Sequence, residues 1–166
     1  MDIKTLYYHQ FKLVGHTYFL AATAKGLAFV GSADGDLKEL SDFYLDVQLI
    51  EDEARLTKIA TELEAYLSGK LEKFDVKLDI SGTAFQESVW EALEQIPYGQ
   101  TRNYTQIAEE INKPKAVRAV GSAIGKNPVL MVIPCHRVVT KTGKIGQYRG
   151  GVVMKESLLS LEGHLK

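Results

Sequence analysis

The period of the apolar positions changes along the chain, and each change marks an element. From Thr5 to Gly31 the stretch TLYYHQFKLVGHTYFLAATAKGLAFVG mixes aromatic and β-branched residues with polar ones and carries Gly15 and Gly26 at intervals. That pattern predicts short strands joined by tight turns, an antiparallel meander. Between Glu51 and Leu67 the spacing becomes helical, with Leu56, Ile59, Ala60, Leu63 and Leu67 on one stripe, acids in the first turn and Gly69 where a helix stop belongs. This predicts one amphipathic helix covering the sheet. The following LEKFDVKLDISG is charged, alternating and without helical period, and it ends in a Ser-Gly pair. A linker is expected there, dividing the chain into domains 1–78 and 79–166.

Past that point the pattern is helical again, and its start signals are specific. Thr83 and Gln86 have capping-box spacing ahead of Phe85, Val89, Trp90, Leu93 and Ile96, and Pro97 to Gly99 ends the run. Asn103 and Gln106 repeat the signal before Ile107, Ala108 and Ile111. Pro114 then opens AVRAVGSAIGK in a first turn, where Val117, Val120 and Ile124 form one apolar stripe. Two short helices across NKPK read as a helix-turn-helix, although any αα-hairpin gives the same spacing. Ala119, Gly121, Ser122 and Ala123 make the other face of the second helix small, with Arg118 among them; close approach of a partner and tight packing inside the protein both account for it. Leu130 to Ile133 is a continuous apolar run, expected as a buried strand or extended segment that Pro134 ends.

Composition then limits the function classes. With 166 residues, 45% hydrophobic and 25% charged, the chain is an ordinary globular sequence able to bury a core as one sizeable domain or two small ones. Its single cysteine, Cys135, has no partner for an intramolecular disulfide, and MDIKTLYYHQ has no apolar core of a secretion signal. No apolar run approaches the roughly 18–20 residues of a membrane span. The expectation is a reduced, cytoplasmic protein. Residues 1–100 carry 9 Lys and Arg against 17 Asp and Glu, whereas residues 101–166 carry 11 against 4, so the net charge of −1 conceals halves of −8 and +7. A basic C-terminal part fits a polyanionic partner; uneven scatter of charge is the plainer account.

A buried lone cysteine is usually a small hydrophobe. Here His136 and Arg137 follow Cys135 at once, and a basic neighbour is what converts a thiol, with an ordinary pKa of about 8.5, to the nucleophilic thiolate. Adjacent side chains in an extended chain point apart, so His136 reaches Cys135 only through a turn or a bridging water.

The string IPCHRVV, with RAVGSAIGKNP before it and GQYRGG and KESLLSLEG after it, resembles the O6-alkylguanine-DNA alkyltransferases, also called methylated-DNA–protein-cysteine methyltransferases, continuously from about Thr83 to Gly163. The fold this implies is α+β: a small N-terminal α/β domain of ribonuclease-H-like shape, then a mainly helical, winged-helix-like DNA-binding domain with a helix-turn-helix. The resemblance implies that Cys135 takes the alkyl group from O6 of a damaged guanine, and less well from O4 of thymine, in a single irreversible turnover. His136 would take the thiol proton through a water, Glu162 would orient His136, Tyr104 would donate to the purine as charge leaves, and Asn127 would tie the cysteine turn to the helix-turn-helix.

A base paired within a duplex cannot reach a buried thiol, so the nucleotide has to be flipped out. By the same resemblance the small-faced helix enters the minor groove, Arg118 fills the vacated stack, and Ala119, Gly121 and Ser122 allow the close approach. Lys113, Lys115, Lys126 and Arg137 are the candidates for phosphate contact. Val138, Tyr148, Arg149, Gly150 and Gly151 would edge the base pocket. Arg149 departs from the small residue common in relatives: it either narrows the pocket or adds a phosphate contact. Relatives that hold zinc do so through cysteines in the N-terminal domain; with none before Cys135, His9 and His16 make a poor site, and neither metal nor cofactor is expected. Nothing in the sequence calls for an oligomer. A lesion-binding module without chemistry is the alternative, disfavoured because such relatives lack the thiol; a thiol hydrolase would need an oxyanion hole and a histidine from a distant segment, and His164 is the only distant C-terminal histidine.

Overall fold

In the computed structural model, which describes residues 4–164, the chain divides into two compact units, Met1–Ile80 and Ser81–Lys166. The first is built on a four-stranded sheet in the order β3-β2-β1-β4. β1 (Thr5–Leu13), β2 (His16–Ala22) and β3 (Leu27–Val30) form the antiparallel meander that the sequence predicts. β4 (Gln48–Glu51) adds a parallel edge beside β1, an element with no separate signal in the sequence because its four residues are all exposed. The helix expected from Glu51 starts later: Glu51 ends β4, a 3₁₀ turn covers Ala54–Leu56, and α1 runs over Thr57–Leu67, burying Ile59, Ala60, Leu63 and Tyr66. All four residues of β3 are buried, which is why this strand reads as an unbroken apolar run.

The stretch read as a linker contains the division between the two units, and just before it the chain touches β3 at a single bridge. The amide of Leu27 donates to the Lys77 carbonyl at 2.8 Å, Asp79 donates back to Leu27 at 2.8 Å, and Leu27 and Leu78 form a parallel bridge. Gly26 makes the approach possible, since a Cβ there would lie 2.6 Å from the Lys77 carbonyl oxygen.

The second unit is mainly helical. Both capping boxes form: Thr83 caps α2 (Ala84–Glu94) and Asn103 caps α3 (Tyr104–Glu110), each with its reciprocal glutamine. α3 and α4 (Val117–Gly125) pack on α2 and on each other, and Trp90 donates its indole N–H to the Ala123 carbonyl at 2.9 Å. Pro114 lies in the connecting turn, not in the first turn of α4, which begins at Val117. Ala123 is also on the inner side, 2% exposed, so the outward face of α4 consists of Arg118, Ala119, Gly121 and Ser122. A two-stranded parallel pair, β5 (Arg102–Asn103) with β6 (Val138–Val139), and α5 (Val152–Leu161) complete the unit. The run Leu130–Ile133 is buried but coiled, not a strand: Val132 bonds back to Leu130, Ile133 to Val129, and Met131 takes a positive φ of 69°. No helix among the described residues is long and apolar enough to cross a membrane.

Candidate active site

Cys135 opens a single 3₁₀ turn, Cys135–Arg137, between the coiled apolar run and β6. Cys135 and His136 are thus consecutive residues of a turn and not of an extended segment. The thiol is 3% exposed and forms part of the lining of a cleft of about 680 Å³, together with Tyr104, Arg118, Gly121, Ser122, Tyr148 and Arg149. The volume falls in the usual range for small-molecule sites.

Asn127 stands just beyond the C-cap of α4 and is fully buried. Its Oδ1 accepts from the Val129 amide at 2.9 Å, which fixes the side chain, and its Nδ2 donates to the Ile133 carbonyl at 3.0 Å and to Cys135 Sγ at 3.3 Å. One side chain thus joins the end of α4 to the cysteine turn and places a donor on the sulfur.

On the other side of the turn, His136 Nε2 meets Glu162 Oε2 at 2.7 Å, both side chains being essentially inaccessible. Glu162 is the C-cap of α5, held by a Schellman closure in which Gly163 bonds to Ser160 and His164 to Leu159, with Gly163 at φ 84°. The carboxylate also accepts from the Gly99 amide at 3.1 Å, in the turn that follows α2.

Arg137 is where the structure departs from the sequence reading. Expected at a phosphate, it is 6% exposed and turned inward: Nε and Nη2 donate to the two oxygens of Glu162 at 2.8 and 3.1 Å, and Nη1 to the Ile96 carbonyl at 2.6 Å. Three of its five N–H donors are committed inside the protein, and the side chain is turned away from solvent. Lys113, Lys115, Lys126 and Arg118, in contrast, are exposed, as are Ala119 and Ser122, while Gly121 is half-buried.

The remaining pocket residues sort by depth. Tyr148 and Arg149 are on the wall; Val138 is buried beneath it, and Gly150 presses on Met154 and Tyr148, where a Cβ would come within 2.5 Å of the Met154 sulfur. Gly151, N-cap of α5, is exposed. Thr140, Gly146 and Gln147 also line the cleft and were not singled out in the sequence.

The most consequential residue missed by sequence reasoning is Lys155. It is 1% exposed, and its ammonium donates to the Val138 carbonyl at 2.6 Å and the Gln147 carbonyl at 3.0 Å, tying β6 to the pocket loop. Burial lowers its pKa to about 8, partly offset by the thiol of Cys135. A signal was present: Lys155 is three and four residues before Leu158 and Leu159, on the buried stripe of α5.

The titration directions agree on a resting state. Burial pushes the Cys135 thiol up, against the lowering effects of the Asn127 hydrogen bond and of the Arg149 and Lys155 charges. Burial pushes His136 down, outweighing the pull of Glu162, and the charges of Arg137 and Lys155 add to the lowering. Burial and the cysteine also raise Tyr104. A neutral thiol and a phenol that keeps its proton therefore line one cleft, and a neutral imidazole follows the thiol in the same buried turn.

Among the described residues no cluster of three or more His, Cys, Asp and Glu is placed to hold a metal; His9 and His16 are separately engaged by Glu51 and Asp34.

A buried thiol beside a helix-turn-helix, in the same turn as a histidine that meets a buried carboxylate, is the arrangement this fold presents. Residues 84–164 match the DNA-binding domain, and residues 6–80 the ribonuclease-like domain, of 6-O-methylguanine DNA methyltransferase. The chain is 48% identical over 162 residues to the inducible methylated-DNA–protein-cysteine methyltransferase of Bacillus subtilis, covering 95% of this chain and 90% of that protein. It is 44% identical over 159 residues to the methylated-DNA–protein-cysteine methyltransferase of Methanosarcina acetivorans, covering 95% and 99%. The crystal structure of Mycobacterium tuberculosis OGT in complex with DNA is similar, with a TM-score of 0.83 and 37% identity over 96% of this chain and 94% of that one. The chain belongs to the 6-O-methylguanine DNA methyltransferase family.

Proposed function

We propose that this protein repairs DNA by moving the alkyl group of O6-alkylguanine, and less well of O4-alkylthymine, onto its own Cys135 in one irreversible turnover. The observation that carries the reading is the Sγ of Cys135: it borders the cleft, accepts from Asn127 at 3.3 Å, and lies in the same turn as a histidine backed by a buried carboxylate.

The residues account for each step. The thiol holds its proton at rest, and His136 is neutral, so the base is ready when substrate arrives. As the S–H proton passes through a water to His136, whose Nε2 is occupied by Glu162, the thiolate attacks the alkyl carbon in line with O6. The S–C bond forms, the C–O6 bond breaks, and the purine takes the electron pair. Tyr104, which keeps its phenolic proton and lines the cleft, donates to the departing base. The guanine anion takes up a proton at N1, His136 gives up the one it received from the thiol, and the thioether has no leaving route, so each chain acts once.

The partner is duplex DNA with the damaged nucleotide flipped into the cleft. α4 offers its small face to the minor groove, Arg118 at the cleft takes the place of the lost base, and exposed Lys113, Lys115 and Lys126 meet phosphates. The protein acts as a monomer in the cytoplasm.

Intact mass spectrometry after mixing with a duplex containing one O6-methylguanine tests the reading. Wild type gains one CH2 per molecule and Cys135→Ala gains none; a duplex bound with the mass unchanged would make the chain a lesion-binding module instead.

A further inference from the structure

Arg149 crosses the cleft. It leaves the pocket loop on one wall, and its Nη2 donates at 3.1 Å to the main-chain carbonyl of Asn127 at the end of α4, on the other. A cation at a helix C-terminus is favourably placed. The same Asn127 holds Sγ of Cys135 at 3.3 Å through its side chain, so the guanidinium is anchored one residue's width from the thiol. The loop that carries it has little freedom to retreat: Gly150 is pressed on Met154 and Tyr148, and Lys155 pins the Gln147 carbonyl from behind.

In-line displacement gives this placement a consequence. When sulfur, carbon and O6 are collinear, every other substituent on the alkyl carbon projects sideways from that axis. Room for those substituents is set by the side walls around Sγ and not by the depth of the pocket. A methyl group sends out only hydrogens; a benzyl group must put a ring into the space that the arginine spans.

We infer that Arg149 is a specificity-determining residue, a strut between the pocket loop and Asn127 that restricts transfer to small alkyl groups. This rests on the alkyl-transfer reading above and decides between the two roles open to Arg149 in the sequence: it narrows the pocket and does not contact phosphate.

The test compares wild type with Arg149→Ser, and with Arg149→Gln, which shortens the side chain while keeping a donor. Rates of S-alkylation of Cys135 are measured by mass spectrometry on duplexes identical except for O6-methylguanine or O6-benzylguanine, with duplex affinity followed against salt. Both variants are expected to raise the benzyl-to-methyl rate ratio, Arg149→Ser by roughly tenfold or more, the scale on which a pocket discriminates small differences in bulk. The salt dependence of binding should stay at the wild-type slope. An unchanged ratio overturns the inference, and an unchanged ratio with a shallower slope makes Arg149 a phosphate contact. Failure of wild type to alkylate on the methyl duplex would sink the alkyl-transfer reading itself, which separates the two failures.

Discussion

At the scale of the residue, the site is governed by how three buried groups, His136, Arg137 and Glu162, share charge. Glu162 is clasped by Arg137 on both oxygens, and the guanidinium satisfies the carboxylate that would otherwise draw a proton onto His136. Arg137 therefore acts through His136 as a positioning residue. Arg137→Gln should raise the pKa of His136 and move the rise of the transfer rate to higher pH. It should also lower stability by about 3–5 kcal/mol, the usual cost of stripping one partner from a buried pair. A pH–rate profile together with a thermal melt reads both; a lower melting temperature with an unmoved profile would leave Arg137 a structural residue only. The native protein has its own pH signature. Burial holds the folded His136 below its ordinary value of about 6.5, so below that pH the unfolded chain binds a proton that the folded one refuses. The histidine's contribution is full above about pH 6.5 and declines as pH falls toward its folded pKa. Melts between pH 8 and 5 should show this decline, and His136→Gln should flatten it.

At the scale of the element, the sequence was most legible where local chemistry decides. Thr83 with Gln86, and Asn103 with Gln106, are side chains answering orphan amides three residues away, and both boxes form as spaced. The resemblance in PCHR and its flanks pointed to Cys135, His136, Glu162 and Asn127, which the fold brings together. The reading failed where tertiary context overrides local pattern. Leu130–Ile133 looked like a strand because burial, not extension, makes a run apolar. Arg137 looked basic and exposed because its acidic partner lies 25 residues further on. The two caps also allow a paired test. Thr83→Ala and Asn103→Ala should each cost about 1 kcal/mol in a denaturant melt. Only Asn103→Ala should also slow alkyl transfer, because Tyr104 is the first residue of the helix that Asn103 caps. Equal rates for the two variants would show that the phenol does not depend on that cap.

At the scale of the whole molecule, the charge asymmetry is milder than a cut at Gln100 suggests, and its meaning changes. Divided at the boundary between compact units, residues 1–80 carry 9 basic and 14 acidic groups and residues 81–166 carry 11 and 7, net −5 and +4. The three acids transferred to the second unit, Glu87, Glu91 and Glu94, all belong to α2, and burial together with Glu91 raises the pKa of Glu94. Of the 11 basic groups in that unit, Arg137 and Lys155 are buried. The field offered to a polyanion thus comes from the exposed cations, Lys113, Lys115, Arg118 and Lys126 on α4 and the turns beside it and Lys141 and Lys144 in the loop after β6, not from the unit's total charge. Each phosphate neutralised releases condensed counterions, so the slope of log affinity against log salt counts contacts. Lys115→Ala and Lys126→Ala should each make that slope shallower by about 1 on an undamaged duplex, and Arg137→Gln should leave it unchanged. A shallower slope for Arg137→Gln would mean that the guanidinium leaves Glu162 when DNA binds. In that event DNA binding would itself release the carboxylate onto His136, and the relay would switch on only in the complex.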